Sequence, residues 1–403
     1  MNHWYDILYE ESLHMPVVNT HCHHLPDSYF SSTVTLNALL GSSYLSQEWC
    51  RMPYQDRAQR SAFLDALRFN SYFIYFSRAL QALYAPGVPL TEDTWDEYSA
   101  RIAAAHQADP ERHLHLLQEV CGYESIVLDG FWAPGTDNGH PHLFHPTYRI
   151  DMYLYGYAPE VRCPNGYNPT LLYDWPCGDI DEYLRMMRAT VTQRVAEGCC
   201  ALKAAIPYHR GLDYRPVTKS EANAVFVKKD KADSRDVKNF QDYVFYALCD
   251  IAADLNLPFQ CHTGLGLLRR SSALELLDVL EAKPRTKFIL FHGNYPWTDD
   301  LMALVHNLPN VYPDICWLPL LAPRAGAAAL HGLIEVGRQD RICWGCDTWT
   351  GEESLGALLA ARHCLSLVLS EKVEDGYFSL SDARLLLGNI LFHNARALYE
   401  RRK

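Results

Sequence analysis

Several features that would direct a protein to a membrane or to nucleic acid are missing from this sequence. No run of about 18 apolar residues occurs, so we expect no membrane-spanning helix. The N-terminal residues MNHWYDILYEESLHMP are acidic and lack the basic-then-apolar pattern of an export signal. The net charge of −12 argues against binding to phosphate backbones, which requires a basic surface. The sequence therefore predicts no nucleic-acid or membrane partner.

Motifs for dinucleotides and for disulfide frameworks are also missing. Gly264 and Gly266 form only a G-x-G, without the third glycine of a dinucleotide-binding turn. The 13 cysteines of this long chain, which has no export signal, indicate reduced thiols and a cytoplasmic location. Cys343 and Cys346 form a C-x-x-C within a predicted strand, where residues three apart point to opposite faces. We expect neither a shared metal nor a disulfide at this pair.

What the sequence does contain is an alternation of short apolar runs and amphipathic helices, over 403 residues of which 48% are hydrophobic. This pattern is typical of repeated βα units around a parallel sheet. The candidate strands lie at about residues 16–21, 125–130, 148–153, 200–206, 258–262, 287–292, 310–315 and 341–347. Eight of them predict an α/β fold, a (β/α)8 TIM barrel with a helical insertion between strands one and two. We interpret residues 1–403 as one barrel, with residues 25–115 as the insertion over its mouth.

Helical periodicity follows the later strands. Helices are predicted at about residues 240–257, 272–282, 297–307, 324–337, 352–370 and 381–400. The polar stretch at residues 228–238, KKDKADSRDVK, predicts a solvated loop.

Ionisable side chains recur where the predicted strands end. His21 and His23 are two residues apart in a strand and so point to the same side, which suits a metal site. His262, His292 and Asp347 each end a later apolar run. Taken singly, the later histidines are better explained as satisfied core residues. All five together predict a metal site, because barrel enzymes carry reacting groups at the carboxyl ends of their strands.

Lys203, inside the predicted fourth strand, has three interpretations. A carbamate on its amine could bridge two metals. A free ammonium could instead lie beside a single metal and bind a substrate carboxylate. The third option is an ion pair with a carboxylate lower in the barrel. We weight the carbamate first.

The ordered series of H-x-H, Lys, His, His and Asp at successive strand ends resembles the amidohydrolase superfamily. The segments LKAAIPYHRGL, QCHTGLG, LFHGNYPW, NVYPDICW and LFHNARALY resemble its "amidohydrolase 2" branch. That branch includes domains of some fungal glutamine-synthetase-like proteins, as well as decarboxylases and hydratases. The resemblance covers most of residues 15–400 apart from the insertion. Two residues before His21, where the family commonly has Asp, this chain has Asn19.

The resemblance implies one or two divalent metal ions, with Zn²⁺ preferred and Mn²⁺ or Fe²⁺ acceptable. The implied ligands are His21, His23, Lys203, His262, His292 and Asp347. His262 and His292 would bind a second metal if Lys203 is carbamylated. Otherwise His262 would bind the single metal and His292 the substrate.

The resemblance further implies a metal-dependent hydrolase that cleaves a C–N or C–O bond of a small, carboxylate-bearing substrate. Metal-bound hydroxide would attack, with Asp347 as general base and acid, while His292 or a second metal would polarise the carbonyl. The alternatives are a metal-dependent decarboxylase or a sugar-acid isomerase on the same barrel. A non-catalytic binding module is a further option.

Polar and aromatic residues that follow the strands are candidates for binding this small-molecule substrate. They are Tyr208, Arg210, Tyr295, Trp297, Trp317, Arg324 and Trp349. For each aromatic residue, packing in the loop layer is an equal alternative. For Arg210 the alternative is an ordinary surface ion pair, whereas substrate binding would use its planar guanidinium to hold a carboxylate. The sequence leaves the oligomeric state open, a homo-oligomer included.

Overall fold

Seven parallel strands form one curled sheet in the order β1 to β7. The computed structural model describes residues 3–45, 54–176 and 178–400, apart from the side chain of Asp230. The strands are β1 (Val17–Cys22), β2 (Tyr123–Leu128), β3 (Phe144–Arg149), β4 (Ala201–Ala204), β5 (Pro258–Cys261), β6 (Lys287–Leu290) and β7 (Val311–Pro313). They are short and almost wholly buried, as expected of parallel strands covered on both faces. All their carboxyl ends therefore lie on one rim of the sheet.

Residues 343–349, here called the eighth segment, lie between the two edge strands. The segment receives a hydrogen bond from Thr20 N to Trp344 O (3.4 Å) and donates one from Asp347 N to His21 O (2.9 Å). On its other side, Cys343 N donates to Pro313 O (3.0 Å). The predicted eighth strand is thus an extended segment with one isolated bridge, rather than a regular strand. The result is a curled, TIM-barrel-like sheet.

Asn19 ties β1 to the eighth segment by its side chain. Its Oδ1 accepts a hydrogen bond from Cys346 N (2.9 Å), and its Nδ2 lies 2.9 Å from Cys346 Sγ. The eleven cysteines among the described residues, Cys346 included, are buried and free of disulfides. The departure from Asp at position 19 therefore serves the contact between these two elements.

Helices occupy the connections between strands, except for the one between β2 and β3. Between β1 and β2 the described helices are Asp27–Phe30, Leu36–Ser42, Arg57–Leu67, Ser71–Tyr84, Trp95–Ala108, Arg112–His115 and the π-helical Leu116–Val120. The other α-helices are His3–Leu13, Pro169–Leu172, Ile180–Ala196, Lys219–Lys228, Ser234–Asp254, Leu277–Ala282, Thr298–Asn307, Leu318–Leu321, Pro323–Val336, Gly351–Glu374, Leu380–Gly388 and Asn394–Tyr399, the last preceded by a π-helical turn at Asn389–His393. Short 3-10 turns occur at Asp151–Tyr155, Ile206–Tyr208, Lys229–Lys231, Ala273–Leu276 and His292–Asn294. Within the described ranges no helix combines the length and the apolarity that crossing a bilayer requires.

Two local predictions are wrong. The third strand was predicted at residues 148–153 but runs from Phe144 to Arg149, and a 3-10 turn follows it because the Asp151 carboxylate accepts from Ala205 N (2.9 Å). The stretch at 228–238 is not all loop. Asp233 accepts hydrogen bonds from the first backbone amides of a helix that starts at Ser234, so a polar sequence begins this helix.

Gly345 allows the close approach of the eighth segment to β1. A Cβ at this position would lie 2.6 Å from Thr20 Oγ1 and 2.7 Å from the backbone nitrogen of His21. Because the second contact is with backbone, the two elements would have to separate. We expect Gly345→Ala to lower the free energy of unfolding by about 1–3 kcal/mol, measured by urea denaturation. The control is Gly388→Ala, where the nearest atom outside the local helix lies at 3.7 Å. Equal stability of the two variants would contradict this account of the contact.

Candidate metal centre

Three buried side chains converge where β1 meets the eighth segment. His21 Nε2 lies 3.5 Å and His23 Nε2 lies 3.3 Å from the same oxygen of Asp347, Oδ1. The period of two in a strand brings both imidazoles to one side, and the Asp347–His21 backbone bond brings the carboxylate to them. Two imidazole nitrogens and one carboxylate oxygen form a donor set that suits a divalent transition metal.

The protonation of His23 follows from its neighbour. His23 Nδ1 lies 2.8 Å from the backbone carbonyl oxygen of Asp129, which can only accept a hydrogen bond. Nδ1 therefore carries the proton, and burial lowers the pKa of His23, so the ring is neutral. Burial also lowers the pKa of His21 well below its usual value. The lone pair of His23 Nε2 thus faces Asp347 and is available to a metal.

His262 and His292 form a hydrogen-bonded pair beside these ligands. His292 Nδ1 lies 3.2 Å from the carbonyl oxygen of Cys316 and therefore donates to it. Burial lowers the pKa of His292 to about 4, so its Nε2 is unprotonated and accepts from His262 Nδ1 at 2.9 Å. Burial also lowers the pKa of His262 well below its usual value. His262 Nε2 is then left with a free lone pair and has no hydrogen-bond partner among the described residues.

Lys203 lies at the centre of the site. Its side chain is 1% exposed, and its Nζ lies 4.0 Å from the centre of the Phe291 ring. No hydrogen-bond partner of this nitrogen occurs in residues 3–45, 54–176 or 178–400. Burial lowers the pKa of the ammonium. The predicted alternative of an ion pair with a carboxylate lower in the barrel is therefore absent from the described part of the chain.

Arg149 and Asp129, which were missed in the sequence, adjoin the same site. Asp129 follows β2 and accepts from Arg149 Nε (3.2 Å) and Nη2 (2.5 Å). Asp129 ends the apolar run IVLD just as the predicted ligands end theirs, so the same signal would have found it. Arg149 is the last residue of β3, and it was missed because the third strand was placed four residues too late.

A cavity of about 300 Å³ opens above these groups. Its lining includes His21, His23, Tyr44, Phe131, Arg149, Asp151, Pro164, Asn165, Lys203, Ala205, Tyr208, His209, His262, Leu265, Trp317, Asp347 and Trp349. Tyr44, from the segment between β1 and β2, donates to Asp347 Oδ1 at 3.1 Å. The indole nitrogens of Trp317 and Trp349 are buried without a hydrogen-bond partner among the described residues.

Four of the predicted substrate-binding residues are not brought to this cavity. Arg210 instead donates to Asp242 Oδ1 (2.8 Å) and Gln241 Oε1 (3.0 Å), and this ion pair is buried rather than at the surface. Arg324 is exposed in the first turn of the helix that begins at Pro323. The others, Tyr295 and Trp297, belong to a turn packed through its backbone: Tyr295 O accepts from Leu265 N, and Trp297 N donates to Asn294 O.

Three residues of the site have an uncommon backbone conformation. His292, Trp317 and Asp347 have φ values of 64°, 64° and 52°, in the left-handed region that non-glycine residues rarely adopt. Such conformations persist only where the surrounding contacts enforce them. The strain therefore turns these side chains toward one point at the end of the sheet.

Known proteins resemble this chain in sequence and in structure. The family model described as amidohydrolase matches residues 224–401, a little under half of the chain, and confirms the resemblance to the amidohydrolase superfamily. The protein FluG of Emericella nidulans is 27% identical over 240 residues. That match covers 55% of this chain but only 28% of FluG.

Solved structures match over almost the whole chain. A uronate isomerase from Thermotoga maritima has a TM-score of 0.79 at 16% identity, over 99% of this chain and 98% of that one. A glucuronate isomerase from Caulobacter crescentus has a TM-score of 0.77 at 18% identity, over 99% and 95%. A Lactobacillus casei protein described as a metal-dependent hydrolase has a TM-score of 0.71 at 19% identity, over 97% of each chain. Because the sequence identities are below 20%, these matches establish the fold and not the activity.

The buried neutral histidines predict how stability depends on pH. Between pH 6.5 and the lowered pKa of His292, the unfolded chain binds more protons than the folded one, so stability falls as the pH falls. At pH 5 His292 alone should reduce the free energy of unfolding of the metal-free protein by on the order of 2 kcal/mol relative to pH 7. Urea denaturation of His292→Asn should show a correspondingly smaller pH dependence. The exposed His14→Gln variant is the control, and the prediction is wrong if both variants follow the wild type.

Proposed function

We propose that this chain is a metal-dependent hydrolase that cleaves a C–N or C–O bond of a small, carboxylate-bearing molecule. The observation that carries the proposal is the convergence of His21, His23 and Asp347 on one point at the cavity floor. Neutral imidazoles and a carboxylate, held rigidly at strand ends, are what a catalytic divalent metal requires. The amidohydrolase match supports this class of chemistry.

The donors at the site fit a metal. His21 and His23 would supply nitrogen ligands and Asp347 an oxygen, and the free lone pair of His262 Nε2 is a candidate for a further ligand. Zn²⁺ is the preferred ion for such a set, and Mn²⁺ or Fe²⁺ also fit. When bound, the metal acidifies water and polarises substrate oxygen.

Side chains of the protein would transfer the proton of the attacking water. Asp347 lies on the cavity floor and receives a hydrogen bond from Tyr44 on Oδ1. It would take the proton of the attacking water and deliver it to the leaving group. Tyr44 would hold the carboxylate in position during that transfer. Trp317 and Trp349 offer indole N–H groups to oxygen atoms of the substrate.

We infer one metal rather than two. His292 uses both ring nitrogens, one on the Cys316 carbonyl and one on His262, so the two histidines do not face a shared second ion. A second dication would also need an anionic bridge such as a carbamate on Lys203. With one metal, Lys203 stays an ammonium. This reverses the order in which the sequence ranked the carbamate and the free amine.

Isomerisation of a sugar acid is the second candidate. Two of the structures that match this chain over 99% of its length are named uronate or glucuronate isomerase. Such a reaction, like decarboxylation, would use the same metal and the same proton carrier but no hydrolytic water. The cavity, with several hydrogen-bond donors, would accept the hydroxyl groups of a sugar acid.

The organisation of the chain is part of the proposal. We propose that residues 1–403 form one barrel and that residues 25–115 cover its mouth. Tyr44 reaches Asp347, and Tyr72 donates to Glu353 just beyond the eighth segment, so this region contacts the site directly. Three further properties stay predictions. They are a cytoplasmic location, a small-molecule substrate without nucleic-acid or membrane partners, and assembly into a homo-oligomer.

Metal content tests the proposed class. Protein purified without chelator should carry about one equivalent of a divalent transition metal, measured by elemental analysis. His21→Gln should lose most of it, because one of the converging nitrogens is removed. The control is His24→Gln, since that buried ring lies against His113 (3.1 Å between nitrogens) instead of Asp347. A wild type that neither holds nor takes up metal would overturn the proposed function.

Labelled water distinguishes the two reactions. Hydrolysis adds one oxygen from water to the product, whereas isomerisation and decarboxylation need none. Small amides, esters and lactones that bear a carboxylate should be screened together with D-glucuronate, and any turnover followed by mass spectrometry in ¹⁸O-water. We expect one solvent oxygen in the product. Turnover of D-glucuronate to its keto isomer, without cleavage of any screened hydrolytic substrate, would favour the second candidate.

A further inference from the structure

Two cationic side chains lie side by side in the cavity. Arg149 and Lys203 are register partners in the parallel strands β3 and β4, so their Cα atoms lie about 4.8 Å apart and their side chains leave the sheet on the same face. Both line the cavity. Neighbouring like charges repel strongly in a buried site. Such a pair is stable only if anions neutralise it.

Asp129 neutralises Arg149 but does not use the whole guanidinium. The carboxylate engages Nε and Nη2, the edge of the guanidinium that faces β2. Phe131 lies 5.3 Å from the Arg149 guanidinium carbon and supports the group from the side. Because a guanidinium has five N–H donors, the remaining ones are available to a ligand in the cavity. Arg149 is thus held in position by Asp129 and Phe131 and keeps unpaired N–H donors.

Among the described residues, no carboxylate is hydrogen-bonded to Lys203. Its Nζ is buried against Phe291 and has no hydrogen-bond partner in the described part of the chain. An ammonium in such a place is strongly disfavoured unless a charge-assisted hydrogen bond compensates its burial. An anionic molecule that enters the cavity would supply this hydrogen bond.

The donors of the two cations indicate which molecule this is. Arg149 has free N–H donors in the plane of its guanidinium, and Lys203 adds an ammonium beside them. A carboxylate has two oxygen acceptors, which suit a guanidinium edge and an ammonium.

We propose that Arg149 and Lys203 together bind the carboxylate of the substrate, with its reacting group directed toward His21, His23 and Asp347. This inference rests on the proposed function and deepens it, because it assigns the carboxylate to named residues and makes the acid group a requirement for binding. The carboxylate accepts from the free donors of Arg149 and from Lys203 Nζ. β3 and β4 then bind the acid end of the substrate, while β1 and the eighth segment hold the reacting end.

Binding of simple probes tests the inference without any turnover. Pentanoate and pentanamide have the same size and differ in charge, and calorimetry or ligand-observed NMR gives their affinities for the metal-loaded protein. We expect pentanoate to bind at least about tenfold more tightly than pentanamide, as charge-assisted hydrogen bonds would give. Equal binding of the two probes would overturn the inference, and so would tighter binding of inorganic phosphate than of pentanoate.

Variants show which residues cause the preference for the carboxylate probe. Arg149→Met and Lys203→Met should each reduce the affinity for pentanoate by about tenfold and leave that for pentanamide unchanged, while Arg149→Lys should retain part of the preference. The matched control is Arg210→Met. Arg210 is also paired with a buried aspartate and is equally covered (12% exposed, against 13% for Arg149), but it lies outside the cavity. Loss of the preference in the control as well would show a general effect of breaking a buried ion pair and would overturn the assignment.

Two measurements on the same samples separate this inference from the proposed function. Elemental analysis reports the metal: full metal content without a carboxylate preference refutes the cation pair alone, whereas failure to bind metal refutes the proposed function. Incubation with ¹³C-bicarbonate followed by ¹³C NMR reports on Lys203. A carbamate signal that disappears in Lys203→Met would show that the amine is not free to bind a carboxylate, and would overturn the inference.

Discussion

The site depends on one backbone hydrogen bond, from Asp347 N to His21 O. It joins the eighth segment to β1 and so places a carboxylate beside two imidazoles that are almost 330 residues away in the chain. Gly345 makes the approach possible because it has no Cβ, and Asn19 secures it with a side-chain bond to the backbone of the segment. Neither the donor set nor the cavity above it would form if these elements separated.

Burial then decides the chemistry of the groups that meet there. Burial lowers the pKa values of the imidazoles, so they stay neutral and keep the lone pairs that a metal needs. Backbone carbonyls of Asp129 and Cys316 determine which nitrogen of His23 and His292 carries the proton. The same burial makes the ammonium of Lys203 costly, because it has no hydrogen-bond partner among the described residues. Under our proposal, an anionic substrate offsets this cost. The proposed metal binding and the proposed recognition of the substrate therefore share one physical origin.

Much of the fold could be predicted from periodicity. Seven of eight predicted strands occur, the third of them four residues earlier than predicted, and helices occupy the predicted connections near 297–307 and 324–337. The errors lie where a tertiary contact overrides the local pattern. Asp151 bonds to the backbone after β4 and turns the chain where apolar residues alone suggest a longer strand. The eighth segment is extended as predicted, but its regular pairing is interrupted.

The sequence by itself determined the positions of His21, His23 and Asp347 at strand ends, since a period of two and a final ionisable residue can be read locally. It could not determine that His262 and His292 bond to each other, because the tautomer of each ring depends on acceptors far away in the chain. Nor could it place Arg149 in the cavity and Arg210 outside it, because the aspartate that each arginine meets, Asp129 or Asp242, lies on another element. Only tertiary packing decides which arginine meets a buried aspartate beside the candidate metal ligands and which meets one on the helix Ser234–Asp254.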